Sequence, residues 1–429
     1  MRLVKVVLFA LAFVVTGGAQ ALAQETGFEA RGGADWTTLD EEQAYLAELD
    51  AAEQRLRVRQ IGTTTQGRPV QLVQVDVRRP LPRARVARRS SILFVCSQHG
   101  DEPSGREACL QLMRELATSE DPELVSVLRR TTLLFIPTAN PDGRAANTRE
   151  NADGVDVNRD HLEYATNEGR AIGEVVRDYK PDLVHDLHEF NPTPEVYDSQ
   201  ILYLWPRNLN VDQTVHDLSE RLSTDYVREG VEAAGFTTGV YGIWTRNGQP
   251  IAQVAGDGDE RILRNSAGLR HSLGILVEAN QEPTTAEEAA DVSVLNLRRV
   301  ETQVIAADES LDFFGDLVAA VRRATRRAPI LKTREGLAQN EPVYFGGADN
   351  DLPDAPDEID LTPPCRYDLD AAQAAAAASL FATHGIRTEP REGGGVSVPL
   401  GQPAEPFIPL VLDTRALHSP FDLPEVEVC

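Results

Sequence analysis

Long apolar runs are scarce in this 429-residue chain. The one at the start, Val6 to Val15, follows the positive residues Arg2 and Lys5. Gly17 and Gly18 break it, and the small-residue pattern Ala21-Leu22-Ala23 comes next. A bilayer core of about 30 Å needs roughly 20 apolar residues, so this run is too short to span it. The arrangement predicts a secretory signal peptide over residues 1–23, cut after Ala23, and an exported product, secreted or periplasmic. No cysteine stands at the cleavage point, so no lipid anchor is expected. No later run reaches spanning length, so no membrane span is expected either.

Positive charge is also short: 42 Lys and Arg stand against 67 Asp and Glu, a net charge of −25. A chain this acidic repels phosphate backbones, which argues against a nucleic-acid partner. Cysteine is the third shortage, with only Cys96, Cys109, Cys365 and Cys429. Cys96 lies in an apolar strand-like run and Cys109 in a helix-like run, and both are expected as buried free thiols. Cys365 and Cys429 fall near the C-terminus, where an export compartment allows a disulfide that ties down the tail.

What remains after residue 23 is too long for one ordinary core. Strand-like runs at Leu56–Ile61, Val70–Val77, Ser91–Ser97, Thr131–Pro137, Asp182–Leu187 and Ser272–Ala279 alternate with helical periodicity at Thr38–Glu53, Ser104–Ala117, Asn167–Tyr179, Val211–Gly230 and Val292–Arg322. Continuously apolar strands between helices imply an α/β sheet covered on both faces. Residues 24–36 read as a loose leader and 139–163 as one long polar loop. Composition shifts near Arg323–Arg334, so a large unit over 24–325 and a small C-terminal α+β unit over 335–429 are expected. No internal repeat is present.

Four pieces carry chemistry. Ser97-Gln98-His99-Gly100-Asp101-Glu102 sits between a buried strand and a helix, where open α/β sheets place their sites. His99 and Glu102 are both suitable zinc ligands, although so short a motif also arises by chance. Catalytic zinc takes three protein ligands. The run Leu183-Val184-His185-Asp186-Leu187-His188 offers two histidines for the third place. They are three apart on a strand and so face opposite sides. His188 is favoured because it is nearer the strand's carboxyl end, which leaves His185 a structural role. Glu278 is the one carboxylate in the apolar run Gly274–Ala279. Burying it without a partner is costly, so a role as general base is expected. The fourth piece is the polar loop with Arg149, Asp156, Asn158 and Arg159. Arginine forks suit a carboxylate and a developing oxyanion, and Asp156 suits a hydrogen bond from a ligand histidine.

In this order the pieces resemble the M14 zinc carboxypeptidases: H-x-x-E at His99/Glu102, N-P-D-G at 140–143, Arg149, G-V-D-x-N-R at 154–159, D-L-H at 186–188, and Glu278. The resemblance covers about residues 40–310. It implies a mixed, mostly parallel eight-stranded sheet flanked by helices. It implies one zinc ion per chain on His99, Glu102 and His188. Arg149 would steady the oxyanion, Asn158 and Arg159 would hold the substrate carboxylate, Asp156 would support a ligand histidine, and Glu278 would be the base. The implied substrate is a peptide with a free C-terminal carboxylate. Murein-peptide amidase and N-acyl-amino-acid deacylase activity use the same zinc site and remain alternatives. A non-catalytic binding protein is a third reading, against which the intact Glu278 argues. Members of that family carry a mobile tyrosine some twenty residues before the base; here Val254–Leu273 holds none, and Tyr241 is the nearest upstream. Neither side-chain preference nor oligomeric state is legible.

Overall fold

The computed structural model describes residues 25–353, 355, 357–421 and 425–426. The expected signal peptide and Cys429 lie outside the described residues. Among the described residues no helix is long and apolar enough to cross a membrane.

Ten strands precede the last long helix: β1 (Leu56–Thr63), β2 (Pro69–Val75), β3 (Ser90–Cys96), β4 (Thr131–Ile136), β5 (Leu183–Phe190), β6 (Ile201–Leu204), β7 (Thr238–Val240), β8 (Ile243–Arg246), β9 (Gln249–Gln253) and β10 (Leu273–Asn280). Eight of them form one mixed sheet in the order β1-β2-β4-β3-β5-β10-β6-β7. Its centre, β4-β3-β5-β10, is parallel throughout. Every residue of β3, β4, β5 and β10 is buried, as parallel strands covered on both faces must be. The hairpin β1–β2 turns at Gly67, whose φ of +83° a side chain would strain. β8 and β9 make a separate hairpin that periodicity did not signal; β9 is exposed along its length.

The helices begin where the sequence offers caps. Thr38 and Glu41 form a capping box on helix Leu39–Ala52, and Asp370 and Gln373 form one on Ala371–His384. Gly385, at φ +73°, closes the latter. The last long helix, Val292–Ala338, continues past the expected end at Arg322 and accommodates Pro329. Its buried Phe313, Phe314, Val321, Ala324 and Ala328 belong to the same apolar cluster as the central sheet and as Tyr367, Phe407 and Leu410 of the C-terminal unit. That unit is a sheet containing Glu389–Pro390, Val396–Pro399 and Arg366–Leu369, with helix Ala371–His384 packed on it.

Three expectations are corrected. Residues 24–36 are not a loose leader over their described part. Phe28 is buried and stacks on Trp36 at 5.1 Å, and the Arg299 guanidinium lies 4.8 Å from the Trp36 ring. Residues 139–163 are not structureless: they hold a short helix, Pro141–Ala146, capped by Asn140, and a turn of 3-10 helix at Val157–Arg159. Cys96 and Cys109 are not free thiols but a disulfide. Cys96 ends β3 and Cys109 lies on helix Ser104–Thr118 that packs back on it, so a strand–turn–helix unit brings together two residues that spacing alone does not pair.

Candidate metal centre

The centre forms where three parallel strands end. β3 stops at Cys96, and Ser97, at φ +51°, turns the chain so that Gln98 and His99 rise above the sheet. Gly100 is required here: a Cβ at this position would lie 2.0 Å from the Gly143 carbonyl carbon. That close approach locks the turn to helix Pro141–Ala146, and Gly100 donates its amide to the Thr148 carbonyl at 3.0 Å. Glu102 then sits just before helix Ser104–Thr118. On the neighbouring strands His188 of β5 lies beside Glu278 of β10 in register. Side-by-side residues of parallel strands face the same side, so both project toward the turn.

His99 Nδ1 lies 2.7 Å from one Glu102 oxygen, and His188 Nδ1 lies 2.8 Å from the other. The two Nδ1 atoms are 3.0 Å apart. Each ring turns its other nitrogen to a carboxylate: His99 Nε2 to Asp156 at 3.1 Å, and His188 Nε2 to Asp186 at 2.9 Å. Those partners assign the ring protons to Nε2. Two imidazole lone pairs and a carboxylate then face one point, three acceptors with no proton between them. A divalent cation resolves that conflict, and the donor set of two imidazoles and one carboxylate suits zinc. These are the three side chains of this region whose ligand atoms all fall within 4.8 Å of one another.

Other expected residues gather around them. Glu278 is buried, and burial, reinforced by the charges of Glu102 and Asp186, raises its carboxyl well above the ordinary value against the pull of His188 and Arg149. Arg149 donates to Asp156 from Nε (3.1 Å) and Nη2 (2.8 Å), and its Nη1 lies 3.1 Å from His99 Nδ1. Asn158 is in the wall, but its amide nitrogen already reaches Asp186 (3.2 Å) and His188 (3.0 Å), and its oxygen accepts from the Leu263 amide. Arg159 is half-exposed, 4.0 Å from Asp259. His99, Glu102, Arg149, Asn158, Arg159 and Glu278 all line one cavity of about 450 Å³. His185 faces away, as its spacing predicts: it bonds Ser310 of the long helix at 3.0 Å, and burial lowers its pKa to about 3.

Three residues of the site were not foreseen. Asp186 is the acceptor for His188 and stands two residues before it on the same strand face, a signal present in the sequence. Tyr241 lines the cavity from the end of the three-residue edge strand β7, where no pattern marks it. Burial raises its hydroxyl pKa further above the ordinary value. Arg264 also lines the cavity, is 1% exposed, and donates to the Asp257 carbonyl at 2.7 Å.

The zinc carboxypeptidase family (peptidase M14) matches residues 42–197. Among curated relatives, carboxypeptidase 2 of Trichophyton tonsurans is 27% identical over 280 residues, 62% of this chain and 52% of the relative. Carboxypeptidase 2 of Trichophyton rubrum is 31% identical over 189 residues, 42% of this chain and 35% of the relative. The chain thus spans about half the length, or less, of the curated relatives it matches. Among solved structures, a metallo-carboxypeptidase from Pseudomonas aeruginosa in complex with (2-guanidinoethylmercapto)succinic acid is 23% identical, with a TM-score of 0.45 over 63% of this chain and 69% of that one. A metallo-carboxypeptidase from Burkholderia cenocepacia is 16% identical, with a TM-score of 0.47 over 63% and 69%. The matched segment, 42–197, holds His99, Glu102, His188 and the Arg149–Arg159 loop, and over it the chain is similar to the M14 zinc carboxypeptidases.

Proposed function

We propose that the chain is an exported zinc metallocarboxypeptidase that hydrolyses a peptide bond near a free C-terminal carboxylate. The observation that carries this reading is the convergence of His99, Glu102 and His188 beside a buried Glu278 on the next strand. A zinc ion, when bound, supplies Lewis acidity and draws the pKa of a water toward neutrality. Glu278 accepts the proton of the attacking water and returns it to the leaving amine. Arg149 donates to the carbonyl oxygen as negative charge develops there. Arg159 pairs with the terminal carboxylate. Asn158 acts more as a brace: its bonds to Asp186 and to the Leu263 amide tie the carboxylate-binding loop to a ligand strand. Asp156 and Asp186 fix the tautomers of His99 and His188. Export is supported by the Cys96–Cys109 disulfide, which suits an oxidising compartment. Residues 335–429 are read as an accessory unit of the same enzyme.

Glu278→Gln keeps the shape and removes the base. Turnover is expected to fall by about 100- to 10,000-fold with zinc content unchanged. Loss of zinc, or full activity, would refute the role. Parallel assay of C-terminally free peptides, murein peptides and N-acyl amino acids identifies the bond cut. Preference for either of the latter two replaces the carboxypeptidase reading while leaving the zinc centre in place.

A further inference from the structure

Among the described residues one other group of side chains is arranged as ligands. Asp259, Glu260 and His418 offer atoms that all lie within 4.8 Å of one another. Asp259 and Glu260 belong to the loop that leads into helix Leu263–Leu269, and His418 arrives from the C-terminal unit.

Glu260 is only 7% exposed, and among the described residues its carboxylate meets no donor except its own amide. Burial, with the charges of Asp259 and Asp257, pushes its pKa up to about 7. A buried carboxylate without a partner is costly. Asp259 is held in place by Arg261, which donates from Nε at 3.0 Å and Nη2 at 2.8 Å, while the Arg261 amide donates at 2.9 Å. This is how a ligating carboxylate is oriented from outside, and its oxygens keep further lone pairs.

We propose that Asp259, Glu260 and His418 form a second cation site, of the zinc class, that fastens the C-terminal unit to the wall of the substrate cavity. One imidazole and two carboxylates suit zinc, whereas calcium would call for an all-oxygen set. The site faces the substrate clamp from behind. Asp259 lies 4.0 Å from Arg159, and the Arg261 carbonyl accepts from the His161 amide. A cation there holds the loop that positions Arg159, so Asp259, Glu260 and His418 are positioning residues rather than catalytic ones.

Metal analysis of the full-length protein tests this without reference to activity. Wild type is expected to retain two zinc equivalents per chain, and His418→Ala and Glu260→Gln one each. His99→Ala also retains one, but the other. Titration of the metal-depleted wild-type chain with Co2+, followed by visible absorption, is expected to saturate at two equivalents. That titration needs no variant and covers a His418→Ala protein that fails to fold. Saturation at one equivalent, or two zinc equivalents retained by both variants, overturns the proposal. The peptidase reading fails separately, if His99→Ala keeps full turnover. Where that reading holds, His418→Ala should raise KM severalfold with kcat unchanged; a drop in kcat alone counts against the positioning role.

Discussion

Two buried carboxylates in different regions of this molecule, Glu102 and Glu405, are held on opposite terms. At the metal centre the two oxygens of Glu102 lie against His99 and His188, and the backbone amide of Glu189 donates to one of them at 3.1 Å. Burial alone would raise its carboxyl, but positive charge at this point, carried by His99 and His188 in their protonated forms, outweighs it and holds the group well below the usual carboxylate range. In the C-terminal unit Glu405 is 6% exposed and, among the described residues, its Oε2 has no hydrogen-bond partner. Burial there outweighs the attraction of Lys332 and pushes the pKa up to about 7. The first carboxylate is buried at a point built to hold positive charge. The second is buried by packing, and stability bears the cost.

The largest effect separating the two regions should come from Glu102→Gln. It removes a ligand and leaves His99 and His188 facing each other, so bound zinc and turnover should fall to background, read by metal analysis and assay. Retention of zinc would mean that the convergence serves another purpose. Glu405→Gln should act in the opposite direction. Folding raises the Glu405 pKa from 4.5 to about 7, so the folded state holds the proton more tightly. The penalty is absent below the unfolded value, grows as pH rises toward about 7, and is complete above it. Glu405→Gln should therefore leave stability unchanged at pH 4 and raise it at pH 8 by up to about 3 kcal/mol, measured by denaturant unfolding. Equal effects at both pH values would refute the assignment. Asp186→Asn gives the smallest of the three changes. It replaces the acceptor of His188 and should weaken zinc binding by about 10- to 100-fold, measured in competition with a chelator.

The same division runs through what could be read from the sequence. His188 and Glu278 were legible because each stands near the end of a buried strand, where a polar residue is conspicuous against an apolar run, and His99 and Glu102 because they lie in the turn between a buried strand and a helix. The parallel centre of the sheet was legible for the same reason. The loop-borne wall was not. β9 is exposed throughout and carries no alternation, and Tyr241 follows a strand only three residues long. The Cys96–Cys109 pairing depends on how a helix folds back over its strand, a tertiary fact with no local signature. Asp186 was legible in principle, two residues before a proposed ligand, but it was read only as part of the D-L-H motif.

The disulfide has a consequence for how the centre is assembled. Cys96 and Cys109 are 13 residues apart, and His99 and Glu102 lie between them. Two of the three proposed ligands therefore sit inside a closed covalent ring. Such a ring restricts the unfolded chain, so the pair stays at high mutual effective concentration even before the sheet forms. Only His188 must then be brought in from afar. Once this pair is oxidised, metal capture completes a half-made chelate.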